Sequence, residues 1–247
     1  SAQTSAPGVT QALKDLKLSM TVAGRIEGLF VKEGDHVNAG QVLLHLDRAA
    51  EELEVKRRRL LLQDTARLQE LVTKEKTLTE QVASLKPLLE SGGVSRKQVE
   101  DEEMALNAIA GERKTLDAAK RREQVELDIA QEAYERRHLR APIDGVITKV
   151  VMRVGESIAP HEPMIGLVNI RRVRFLGSIA AQAGSRLKVG NTVSINLGAG
   201  DGAKTRAARV VYVSPVTDAA SGLIEVIAEF DNADGSVRPG ITGRMSF

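Results

Sequence analysis

The chain has 247 residues, with 35 Lys and Arg against 33 Asp and Glu, no Cys, no Trp and an aromatic content of 2%. That balance gives no electrostatic reason to expect nucleic acid, and the scarcity of rings removes the platforms on which bases stack. The missing cysteine excludes disulfides, zinc fingers and a catalytic thiol, and no apolar run approaches the ~20 residues of a membrane span. Residues 1–15, which open on "SAQTSAPG", read as a lead-in segment, and no signal peptide is visible in them.

The first patterned stretch is "GRIEGLFVKEGDHVNAGQVLLHLD", Gly24 to Asp47. Its apolar residues alternate with polar ones, as in half-buried strands, and "KEGDHV" supplies a turn in which Gly tolerates positive φ. The pattern returns at an offset of 121 residues in "GVITKVVMRVGESIAPHEPMIGLVN", Gly145 to Asn169. Ile26 falls on Ile147, Gly34 on Gly155, Val37 on Ile158, Leu43 on Met164 and Leu46 on Leu167. Each copy is too small to bury a core alone, but two copies packed face to face could do so. The spacing predicts a structural repeat, with 16–47 and 139–169 forming one split β domain. Two unrelated β-hairpins are the alternative that pattern alone leaves open.

Residues 48–138 follow a different rule. From Arg48 to Leu89 there is no Gly, and the sole Pro is Pro87. Leu53, Leu60, Leu71, Leu78, Val82, Leu85 and Leu89 keep approximate heptad spacing, with a break near Asp64. Val99, Leu106, Ile109, Leu116, Leu127, Ala130 and Tyr134 continue it beyond "SGGV". A narrow apolar seam on otherwise charged helices predicts an antiparallel coiled-coil hairpin. Its arms of about 40 residues would reach roughly 60 Å at ~1.5 Å per residue. Arg67, Glu75, Arg113, Lys120 and Glu123 are polar members of the seam, able to cover it with their stems while their charges stay wet. In "ESGGVS" the glycines end one helix and Ser95 caps the next. The tip near 90–95 sets Leu88, Leu89 and Val94 beside Gly92 and Gly93, followed by Ser95 and Arg96. Apolar groups and bare backbone at an exposed end mark these residues as the candidate partner-binding site. A plain αα turn closed by apolar residues is the alternative.

From residue 170 to 247 the segments "VRFLGSIA", "NTVSINLG", "RAARVVYVSP", "GLIEVIAEFD" and "ITGRMSF" alternate between Gly- and Asp-rich turns, which predicts a small antiparallel β-barrel. The fold class is therefore mixed β and α, multidomain and elongated.

Enzymatic chemistry finds little support. His36, His45, His138 and His161 form no metal motif. Ser95 lacks evident His and acid partners, and the "EDEE" run from Glu100 complements a helix dipole. Met152 and Met164 read as core filler, as Met usually is. Lys32 and Lys149 sit near turns other than the one a lipoyl or biotin carrier would modify. No catalytic, cofactor or metal residue is expected.

Three stretches carry a family likeness: "VAGRIEGLFVKEGDHVNAGQVLLHLD", "LRAPIDGVITKVVMRVGESI" and "FDNADGSVRPGITGRMSF". In this order, around a helical hairpin, the chain resembles the periplasmic adaptors, or membrane fusion proteins, of tripartite efflux and type I secretion systems. The resemblance implies a split lipoyl-like (barrel-sandwich hybrid) domain interrupted by the hairpin, then a β-barrel. It further implies an inner-membrane transporter and an outer-membrane channel as partners, and self-association as a trimer or hexamer. The location implied is the periplasm, at the inner membrane through an N-terminal anchor. Many pump adaptors carry Arg, Leu and Ser at fixed spacing in the tip. Here the Leu and Ser fall on Leu88 and Ser95, but the Arg position holds Ser84, with Lys86 or Arg96 as possible substitutes. The membrane-proximal domain usual in the family does not fit within the 247 residues. A self-assembling coiled-coil scaffold without a channel partner is the alternative function.

Overall fold

The computed structural model describes residues 4–247. It divides into two compact units, one comprising the residues up to His45 with Leu139–Phe247, the other Leu46–His138. In chain order the strands are β1 (Ser5–Leu18), β2 (Gly24–Leu29), β3 (His36–Val37), β4 (Val42–Leu46), β5 (His138–Arg140), β6 (Gly145–Val150), β7 (Ser157–Ile158), β8 (Ile165–Ala180), β9 (Thr192–Leu197), β10 (Lys204–Val213), β11 (Leu223–Asp231) and β12 (Thr242–Ser246).

The repeat becomes a pseudo-two-fold sandwich. Gly24 of β2 lies opposite Ile158 of β7, and Val37 of β3 opposite Gly145 of β6, which is one pairing seen twice under the 121-residue offset. The turns obey the same operation. Ile26 N–H donates to the Glu156 carbonyl and Ile147 N–H to that of Asp35; Gly34 N–H donates to Ile147 and Gly155 N–H to Ile26. Gly34 and Gly155 have φ of 92° and 94°, left-handed values that Gly adopts without a Cβ clash. Ile26, Leu43 and Leu46 from one half, and Ile147, Met164 and Leu167 from the other, are buried.

β1, β12, β9, β10, β11 and β8 close into a six-stranded barrel through the β1–β8 pairing. Phe175, Ile195, Val210, Val226, Phe230 and Met245 lie within its core. Strands β1 and β8 are long enough to serve both domains. Gly8–Ala12 pairs with Val173–Gly177 in the barrel, and Lys14–Leu18 with Ile165–Asn169 in the sandwich. Residues 5–12 of the segment taken above as a lead-in are thus a wall of the barrel, residues 14–15 continue into the sandwich, and residues 1–3 lie outside the described part. The inward-facing residues of β1 are Ala6, Gly8, Thr10 and Ala12, too small or polar to read as a strand pattern. The barrel-to-sandwich boundary near 169–170 likewise falls inside one continuous strand, β8. Two buried polar side chains hold the segment before β12. Asn232 donates to the Ile170 and Val237 carbonyls, and Thr10 accepts from Ile241 N–H.

The second unit contains α1 (Ala49–Gln63), α2 (Ala66–Glu90) and α3 (Arg96–Glu135). A short α4 (Ala181–Gly184) belongs to the first. The first arm breaks at Asp64, which has ψ of 97°, whereas α3 runs unbroken for 40 residues, about 60 Å at 1.5 Å per residue. Leu71, Val82, Val99, Leu127 and Ala130 are buried in the seam. Above the break the expected seam needs correction: Leu53 and Leu60 are 66% and 59% exposed. Val55 and Leu62 pack instead against Leu127, Ala130 and Tyr134. The polar seam residues form ion pairs and hydrogen bonds. Arg113 donates to Glu75 and Asp117, and Lys120 donates to Glu123 and to the Leu61 carbonyl beside the break. The acidic run from Glu100 starts beyond the first turn of α3, too far in for a strong dipole effect. One of its members, Glu102, has a carboxylate oxygen buried without a partner.

Candidate partner-docking site at the hairpin tip

Helix α2 ends in a Schellman turn. Gly92 N–H donates to the Leu89 carbonyl, and Gly93 N–H to the Leu88 carbonyl at 2.7 Å. Ser91 Oγ donates to that same Leu88 carbonyl. Gly92 takes φ of 81°, so a side chain there would strain the turn. Gly93 is different: a Cβ would stand 3.4 Å from the Leu88 carbonyl oxygen and 3.6 Å from its Cδ2, ordinary contact. The start of α3 is fixed by a capping box. Gln98 N–H donates to Ser95 Oγ, and Ser95 N–H to the Gln98 side chain.

These bonds settle which tip groups face outward. Leu88 is 46% exposed, Leu89 and Val94 are half-buried, and Gly92, Gly93, Ser95 and Arg96 are exposed. Leu88 and Gly93 form one small apolar knob, whereas Ser95 is engaged in its cap. Ser84 donates its hydroxyl to the Gln81 carbonyl and supplies no cation. The exposed cations near the tip are Lys86, Arg96 and Lys97. The arrangement offers a narrow apolar contact with flanking positive charge.

The hairpin base holds a cluster that the sequence reading missed. Arg48 bonds His138 Nε2, His138 Nδ1 lies 3.0 Å from the Tyr134 carbonyl, and the Arg48 guanidinium stands 5.4 Å from the Tyr134 ring centroid. Arg137 pairs with Glu51 at 2.8 Å. The available signal was Tyr134 and His138 at i, i+4 spacing, but their partner is 90 residues away in sequence. Elsewhere, Lys32 is paired with Asp35, whose carboxyl is held below the ordinary range chiefly by the Lys32 backbone N–H and then by its side chain. Met152 and Met164 are buried in the sandwich. Among the described residues no three His, Cys, Asp or Glu are grouped to hold a metal, and no helix is long and apolar enough to cross a membrane.

Residues 15–168 match the barrel-sandwich hybrid domain of the RND membrane fusion proteins. The nodulation protein NolF of Rhizobium meliloti is 26% identical over 227 residues, 91% of this chain and 57% of its own. An uncharacterized protein of Haemophilus influenzae is 25% identical over 92% of this chain and 52% of its own. The chain thus spans about half the length of the curated relatives it matches. Among solved structures, MacA from Actinobacillus actinomycetemcomitans superposes with a TM-score of 0.75 at 18% identity, over 99% of this chain and 78% of that one. At such identity the likeness is one of fold.

Proposed function

The chain belongs to the RND membrane fusion proteins, an adaptor family of efflux systems, and from that premise we propose that it links an inner-membrane transporter to an outer-membrane channel in the periplasm. Its role is geometric. Several copies, as a trimer or hexamer, line a conduit through their sandwich and barrel domains, and the hairpin tip recognises the channel. The observation that carries this reading is the tip itself. A capped, Gly-bearing turn displays Leu88 over Gly93 at the end of a coiled coil whose seam is otherwise closed by its own residues. Small groups there permit close approach to another helical end, and Arg96 and Lys86 are the cations available in place of an Arg at Ser84.

The test is substitution at the knob. Leu88→Asp and Gly93→Asp put a charge where an apolar contact must be desolvated, a cost of several kcal/mol if unpaired. Transport in cells is expected to fall at least about tenfold, since ~1.4 kcal/mol already changes an equilibrium tenfold. Helix content and melting should stay near those of the parent, because these residues enter the cap through backbone atoms that both substitutions leave in place. Full transport in both variants would refute tip docking.

A further inference from the structure

Strands β10 and β11 are paired along only part of their length. β10 begins at Lys204, but its register with β11 starts at Arg209, opposite Glu229. Lys204–Ala208 is paired with β9 alone. The chain between β11 and β12 runs past this gap without forming a strand, and side chains bridge it. Lys204 Nζ donates to the Ser236 carbonyl, and Arg206 donates to Ser236 Oγ at 2.8 Å. Two polar residues, each 2% exposed, fix the passing segment. Asn232 accepts from Val237 N–H, and Thr10 Oγ1 donates to the Arg238 carbonyl at 3.0 Å.

This arrangement leaves a cavity of about 290 Å³ between the β9–β10 turn and the segment before β12. Its apolar lining is Leu197 and Val237, both buried, with Ile241, which is 38% exposed. Gly198 and Gly202 bring backbone without side chains to one side. Gly198 has φ of 75°, and a Cβ there would stand 3.2 Å from the Gly202 carbonyl oxygen, so the turn takes this shape only with Gly. The charged lining is cationic: Lys204 and Arg238, both exposed, and no carboxylate lines the cavity. Asp234, the acid nearest in sequence to Arg238, accepts from Ser236 N–H within its own turn. Among the described residues, the Arg238 side chain has no partner and Lys204 has only the Ser236 carbonyl.

We propose that this cavity binds a small amphiphilic acid. The apolar body of the ligand covers Leu197, Val237 and Ile241, which removes the exposed Ile241 surface from water. Its anionic head lies between Lys204 and Arg238, where the guanidinium offers a planar fork of donors and the ammonium a point charge. The volume is at the lower end for small-molecule sites, which suits a short acyl chain or a single ring. A neutral ligand of the same shape would leave both cations uncompensated, and a cationic one would meet them as like charges. The site belongs to the barrel and does not depend on what the hairpin tip binds.

The test is a titration of the purified full chain, labelled at its Ile methyl groups, with octanoate below its micelle concentration, followed by NMR. The Ile241 methyl is expected to shift and saturate, while that of Ile179, in the barrel core, stays in place. Octanol, which lacks the charge, should bind about tenfold more weakly or worse, as the loss of hydrogen bonds to a charged group implies. Octylammonium should not bind. Arg238→Glu should weaken octanoate by a similar factor, and its melting should match the parent because the Arg238 side chain makes no bond within the chain. Lys204→Glu should act in the same direction. No saturable shift at Ile241, octanol binding as tightly as octanoate, or undiminished octanoate binding by Arg238→Glu would each overturn the proposal. Transporter and channel are absent from the assay, so its failure is separate from failure of the tip to dock.

Discussion

His161 has φ of 64°, the left-handed conformation that its repeat partner Gly40 adopts at 88°. Both make the corresponding bond, His161 N–H to the Met20 carbonyl and Gly40 N–H to that of Ala141, each at 2.7 Å. The Cβ of His161 costs about 1 kcal/mol in that conformation, and the greater freedom of Gly in the unfolded chain returns about 0.5. His161→Gly should therefore stabilise the β unit slightly, and Gly40→Ala should destabilise it by about 0.5 kcal/mol. Urea unfolding of the two variants checks both signs; a lower midpoint for His161→Gly would contradict this account. The repeat was legible in sequence because Gly and large apolar residues mark its register. His161 entered the sequence reading only as a histidine outside any metal motif, since its strain appears once the two halves are superposed. The barrel strand of residues 5–12 stayed hidden because Ala6, Gly8 and Ala12 fill the barrel with little side-chain volume.

The hairpin helices show why seam positions can be misassigned. Leu53 and Leu60 keep the same seven-residue spacing as Val55 and Leu62, so periodicity could not choose between them. The choice is made by packing on α3, where Tyr134, Ala130 and Leu127 meet Val55 and Leu62. The tip was readable, because "SGGV" and Ser95 specify a Schellman turn and a cap by local chemistry alone. Lys120 bonding a carbonyl beside the Asp64 break was not readable, since it joins residues 59 apart. Glu102 is a defect in the seam, with one oxygen buried and unpartnered. Glu102→Leu should stabilise the hairpin by about 1 kcal/mol by removing that desolvation penalty, seen as a higher helix melting temperature; a lower one would mean the carboxylate is well solvated. The surface carboxylates set the pH response. Arg57 and Arg58 hold the Glu54 carboxyl down at about 2, and Arg67 likewise lowers that of Glu70. A depressed acid contributes stability in full above its ordinary pKa and loses it as the pH falls through the folded value. Helix signal should therefore hold near pH 5 and decline between about 4.5 and 2, less so in high salt.

For the whole molecule, stability and recognition are divided between parts. The sandwich and barrel share two long strands, β1 and β8, so ordering one domain orders the other. The hairpin is held by a thin seam supplemented by cross-helix pairs such as Arg113–Glu75 and Arg137–Glu51. The proposed adaptor role needs little more than this: a rigid base for neighbouring copies and a tip to meet a channel. The most direct test is photo-crosslinking in cells from positions 88 and 96, which are exposed and whose own side chains make no cap bond. Position 95 is avoided because its hydroxyl caps α3. Mass identification of an outer-membrane channel as the captured partner is the result predicted. Efficient crosslinks confined to other copies of this chain would contradict it and favour a self-assembling scaffold.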